Sequence, residues 1–221
     1  MQQARLDVEA CRDYEASRTA DRGKSAMAKI ASGKDLLMFL LYAKGHRGQT
    51  CEPIRGRTRL MKAVFLFEKE VKQKFARGKA SEDDLPKFQP DSFGPFSPQV
   101  FSDLEFLVDA GFVEVKEVAQ AGLCEEELEE YRYWQATEGG REVEGEPAHA
   151  QDFCLTPLGK EFVESELARA LSVQEWSVLD AFKGRCTGAP LRAILRYVYT
   201  KYPQTTTKSR IRDEILRKHP Y

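Results

Sequence analysis

Cysteine and histidine are scarce in this chain, and neither falls into a pattern that does chemistry. The five cysteines (Cys11, Cys51, Cys124, Cys154, Cys186) are scattered, with no CxxC pair and no histidine at ligand spacing. That distribution argues against a disulfide framework or a zinc site and suits reduced thiols in a cytoplasmic protein. The three histidines, His46, His149 and His219, fall in expected loops or near the C-terminus with no motif beside them. No apolar run reaches the length of a membrane span, and the N-terminal stretch lacks the apolar region of a signal peptide. A Walker loop, a GxGxxG after a strand, HExxH and GxSxG are all missing. The expectation is a non-enzymatic cytoplasmic protein with no cofactor, no metal and no membrane partner.

What is present can build a core. Hydrophobic residues make up 42% of the 221, which excludes wholesale disorder and allows one large domain or two small ones. The net charge of −1 gives no global basic field, but the charge is unevenly placed. Residues 55–79 hold nine Lys/Arg against Glu68 and Glu70, and residues 183–218 hold ten against Asp213 and Glu214. Residues 125–146 reverse this, with nine Glu against Arg132 and Arg141. Local patches of this kind steer partners even on a near-neutral protein.

The order of elements is readable from periodicity and punctuation. Residues 1–31 read as a polar arm or weak helix. Residues 33–45 form a short apolar helix, followed by a loop over 46–56. A second helix carries Leu60, Val64, Phe67, Val71 and Phe75 at helical spacing, with its basic residues on the remaining faces. Ser97-Pro98 predicts a third start, the hydroxyl capping free N–H groups and Pro at the first helical position. Phe101, Leu104, Leu107 and Val108 line one face, Gly111 ends the helix, and "FVEV" continues as a strand. After an acidic insertion over 117–150, "DFCL" returns as a strand, and Thr156-Pro157 opens a helix bearing Leu158, Phe162 and Leu167. Three further helices are expected over 172–184, 189–203 and 206–218. The order predicts a mainly α protein with a small β-wing. A winged helix-turn-helix core spans 32–171, and a C-terminal helical extension covers 172–221. Leu37, Leu40, Leu60, Val64, Phe67, Phe101, Leu104 and Leu107 are expected to be buried together.

Four stretches, "GRTRLMKAVFLFEKE", "FGPFSPQVFSDLEFLVDAGFVEV", "FCLTPLGKEF" and "YVYTKYPQTTTKS", together resemble the YwgA-like winged-helix proteins of bacteria. The first two are more distantly similar to the Panacea (SocA-like) antitoxin family. The resemblance covers roughly residues 34–216. It implies a winged-helix fold and a prokaryotic regulatory role or one in antiphage defence, and it brings no catalytic residues.

The helix over 98–110 sits where a winged helix reads DNA, yet its composition is wrong for that task. It offers Gln99 and Ser102 but no Lys or Arg, and it carries Asp103, Glu105 and Asp109. Two basic segments are the better candidates for phosphate. One, within 55–77, holds Arg55, Arg57, Arg59 and Lys62 at a helix start. The other, within 192–212, holds Arg192, Arg196, Lys201, Lys208, Arg210 and Arg212, interleaved with Tyr197, Tyr199 and Tyr202. Cations between aromatics suit phosphate contact with base stacking; the alternative is core tyrosines with solvated cations. A nucleic-acid-binding regulator is one expectation. The other is a protein-interaction adaptor whose acidic helix (Asp103, Glu105) and acidic wing, anchored by Tyr133 and Trp134, dock a protein partner or a second copy.

Overall fold

The computed structural model describes residues 30–75, 85–118 and 150–217. The N-terminal arm up to residue 29 and most of the acidic insertion, including Tyr133 and Trp134, lie outside the described residues.

The described chain is mainly helical with a small antiparallel sheet. Helix α1 (Gly33–Tyr42) starts at Ser32, whose hydroxyl accepts from the Asp35 amide, and it is buried along almost its whole length. A two-residue strand β1 (Ile54–Arg55) follows, inside the expected loop. Helix α2 (Arg57–Leu66) continues through a wide π turn (Phe67–Val71) and a final 3-10 turn (Lys72–Lys74). A short hairpin, β2 (Gln89–Asp91) and β3 (Gly94–Phe96), leads into α3 (Pro98–Asp109), and Gly111 at φ 76° ends that helix. Strands β4 (Val113–Val118) and β5 (Ala150–Leu155) pair antiparallel, and β1 adds to the other edge of β5. The sheet order is therefore β1-β5-β4. Helix α4 (Pro157–Phe162), with its own π and 3-10 continuation to Ala170, precedes α5 (Val173–Gly188), α6 (Leu191–Lys201) and the short α7 (Arg212–Leu216).

One hydrophobic core joins residues from both ends of the described chain, from Ile30 through Leu60, Leu107 and Phe153 to Leu195, Tyr199 and Ile215. The C-terminal helices thus share a core with the sheet-bearing part. Of the residues expected to be buried together, Leu37, Leu40, Leu60, Val64, Phe67, Leu104 and Leu107 are buried; Phe101 is half-exposed.

Two cations lock the C-terminal helices in place. Lys183 of α5 is buried and donates to the Leu41 and Ala43 carbonyls, both at 2.8 Å, at the end of α1. Arg59 of α2 donates to the Cys186 and Ala189 carbonyls at 2.6 and 2.5 Å, at the end of α5. A positive group at a helix C-terminus satisfies orphan carbonyls and complements the helix dipole. Each cation therefore caps a helix of a different element.

Three local expectations differ from the structure. Ser97 does not cap α3: its hydroxyl is buried without a hydrogen-bond partner among the described residues. The capping residues Ser32, Thr156 and Ser172 all have ψ between 164° and 168°, whereas Ser97 has ψ 117°, which turns its side chain away from the helix start. The expected helix over 206–218 shrinks to Arg212–Leu216 because the preceding segment is pinned elsewhere. The Arg210 amide donates to the Ser92 carbonyl at 2.9 Å, and Ser209 shares a hydrogen bond with the Tyr199 hydroxyl at 2.7 Å. Finally, α5 runs through Gly184 to Gly188 instead of stopping at it.

Candidate nucleic-acid interface

The first basic segment does not present its charges as a group. Helix α2 is buried from Thr58 to Leu66, so it has no solvated basic face. Arg59 and Lys62 are therefore withdrawn as phosphate contacts. Arg59 is 4% exposed on its two carbonyls, and Lys62 is 2% exposed with Nζ on the Pro95 carbonyl at 2.9 Å. Burial, with nearby Arg55 adding to it, lowers the Arg59 guanidinium to about 10, still charged at neutral pH. Arg55 is half-buried and makes a two-point contact with Asp152 at 2.9 and 3.2 Å, so its charge is already answered. Of these four cations, Arg57 alone is exposed. Its Nε donates to the Gln151 side chain at 3.2 Å, and its guanidinium lies over the Phe101 ring, 5.5 Å from the centroid.

The second segment divides in the same way. Tyr199 is core, and burial raises its hydroxyl to about 12. Tyr197, Lys201 and Tyr202 all donate to one oxygen of Glu70, on the π turn after α2, at 2.8, 3.0 and 2.7 Å. Burial works against the Glu70 charge, but the donors Tyr202, Lys201 and Tyr197 outweigh it and hold the carboxyl below its usual range. Lys201 is thus committed to Glu70, and these tyrosines tether α6 to α2. Arg196, Lys208, Arg210 and Arg212 are exposed and Arg192 is half-exposed; among the described residues their side chains have no partner.

The hairpin β2–β3 brings the two segments together. On one side, Lys62 of α2 holds the Pro95 carbonyl. On the other, Tyr199 lies so close to Gly94, at φ 85°, that a side chain there would meet the ring at 2.9 Å. Arg192, Arg196 and Tyr199 follow one another at four- and three-residue spacing, which puts both arginines on the row of α6 that leads to the hairpin. Arg210 reaches the same hairpin through its amide on Ser92. At the far end, the Phe96 ring of β3 packs on Phe101 with centroids 5.7 Å apart, and Arg57 lies over Phe101. The hairpin is thus contacted from both basic segments: by Lys62 and, through Phe96 and Phe101, by Arg57 on one side, and by Tyr199 and the Arg210 amide on the other. The aromatic and Pro-rich run "FGPFSPQVF" was the visible signal for this element, but nothing local marked it as the junction between the two basic segments.

Helix α3 presents Gln99, Ser102, Glu105 and Asp109 to solvent and no cation. Asp103, expected to face a partner, is buried instead between α3 and the start of α1, with Lys34 at 3.4 Å and its second oxygen unpartnered among the described residues. Burial raises its carboxyl, with Lys34 opposing the shift. Tyr133 and Trp134 lie outside the described residues. No helix among the described residues is long and apolar enough to cross a membrane. No family model, no curated protein and no solved structure matches this chain.

Proposed function

We propose that this protein is a non-enzymatic, winged-helix nucleic-acid-binding regulator. Its phosphate contacts are Arg57, Arg192, Arg196, Lys208, Arg210 and Arg212. The winged-helix reading is supported by the succession α1, β1, α2, α3, β4, β5 and by the sheet order β1-β5-β4, in which β4 and β5 would form the wing. The resemblance to YwgA-like and Panacea proteins fits a prokaryotic regulatory or defence role.

The observation that carries the reading is that the β2–β3 hairpin is contacted from both basic segments, which carry Arg57, Arg192, Arg196 and Arg210 without carboxylate partners among the described residues. Clustered Arg side chains without carboxylate partners are available to phosphate, and each phosphate neutralised adds about one unit to the salt dependence of binding. Anisotropy titrations of a labelled oligonucleotide at several salt concentrations test this. Arg196→Ala and Arg210→Ala should each weaken binding and reduce the slope, while Glu105→Ala should not weaken it. Absence of salt-dependent binding overturns the proposal. Glu105 and Asp109, exposed on α3, favour a second reading, a protein adaptor docking a basic partner; co-purification lost in the Glu105→Lys variant would support it.

A further inference from the structure

We infer that the Arg57–Phe101–Phe96 platform stacks an unpaired base, so that the ligand of this face is single-stranded nucleic acid. The inference rests on the nucleic-acid reading above and names its ligand class.

A bare phosphate contact needs only a mobile positive charge. Arg57 is held differently. Its guanidinium is placed over the Phe101 ring at 5.5 Å, and its Nε is fixed by Gln151 of β5 at 3.2 Å. These two contacts restrain the planar group while leaving its terminal nitrogens unpartnered among the described residues. A guanidinium packed on an aromatic ring is a flat, weakly hydrated surface of the kind on which bases stack. The surface is backed from three elements. Arg57 comes from α2, Phe101 from α3 and Phe96 from β3, with the two rings 5.7 Å apart at 53°. Both rings are half-exposed, whereas most other phenylalanines of the described chain are in the core.

Duplex DNA hides its base faces and shows only edges, which are read by donors on an element inserted in a groove. The element placed for that work, α3, shows Glu105 and Asp109 and no cation, so a duplex against it meets repulsion. An unpaired base needs no groove. It can lie on the Arg57 side of the platform while Arg196 and Arg210, across the hairpin, take the backbone phosphates of neighbouring nucleotides.

The test uses the full chain and labelled twelve-nucleotide probes: single-stranded DNA, single-stranded RNA, duplex DNA, and a single strand with several abasic positions. Single strands should bind about tenfold or more tightly than the duplex, and abasic substitution should cost about tenfold or more, as expected for lost stacking. The tighter of the DNA and RNA strands names the source. Phe101→Leu should show a comparable loss on the intact strand and little on the abasic one. Arg57→Lys keeps the charge, so it should lose affinity for the intact strand without changing the salt slope. Arg57→Lys leaves the core untouched and serves if Phe101→Leu melts early. Equal binding of abasic and intact strands, or a preference for duplex, overturns the stacking inference and leaves the phosphate-binding reading standing. No binding to any probe overturns both.

Discussion

The Lys183 ammonium lies 2.8 Å from the Leu41 carbonyl, so a side chain from α5 completes the C-terminus of α1. Burial lowers this ammonium from its usual value to about 8, opposed by the nearby Cys51, Glu52 and Asp180. Lys183→Met leaves the Leu41 and Ala43 carbonyls without this donor and should cost about 1–3 kcal/mol at neutral pH.

The same group makes a pH prediction. Its folded value lies below the unfolded one, so between about 8 and the unfolded value near 10.4 the unfolded chain binds more protons. The titration-linked part of the Lys183 contribution therefore rises with pH across that window and is lost as pH falls through 8, where only the hydrogen bonds to Leu41 and Ala43 remain. Cys186, Tyr199 and Tyr202, all raised to about 12, slope the opposite way. They are common to both proteins, so the difference between wild type and Lys183→Met isolates the lysine. Urea melts at pH 7 and pH 9.5 should show the gap widening; a constant gap excludes the linkage.

Gly159→Ala should be strongly destabilising although it adds a better helix former. In an open helix the change would stabilise by about 1 kcal/mol. Here a Cβ would sit 2.1 Å from the Phe112 carbonyl oxygen, which accepts from the Thr156 amide at 3.0 Å and cannot retreat without breaking that bond. Overpacking against fixed backbone should cost about 2 kcal/mol or more. A thermal melt decides the sign.

Asp103 should contribute stability in acid. Burial raises its carboxyl in the folded state, so its contribution is full below the unfolded value near 3.9 and is lost as pH rises through the folded value. Relative to Asp103→Asn, the wild type should gain stability as pH falls from 7 to 4. At pH 7, Asp103→Asn should leave nucleic-acid affinity unchanged, since the side chain is buried.

Arg59 and Arg196 should separate structure from binding. Arg59→Ala removes a buried cap from α5 and should cost about 1–3 kcal/mol, with any loss of binding tracking the unfolded fraction. Arg196→Ala touches an exposed side chain and should change stability by no more than about 0.5 kcal/mol while lowering affinity. Equal effects on both measurements in both variants would remove the distinction.

Periodicity and punctuation were enough to locate the helices around Leu37, Leu60 and Leu104 and the strands around Val113 and Phe153. Those signals are local: an apolar stripe must be buried, and Gly111 or Pro157 marks an end through its own backbone geometry. The Thr156 cap was legible for the same reason, but the Ser97 cap was not, because capping depends on a ψ angle that the neighbouring hairpin sets. The fate of the charges belonged to the tertiary structure. Arg57 and Arg59 are two residues apart on one helix, yet one reaches solvent over Phe101 and the other lies in the core at the end of α5. Sequence shows that both are cations. Only the packing of α5 and α6 against α2 decides which carbonyls or carboxylates lie within reach of each, and so which charges remain for a ligand.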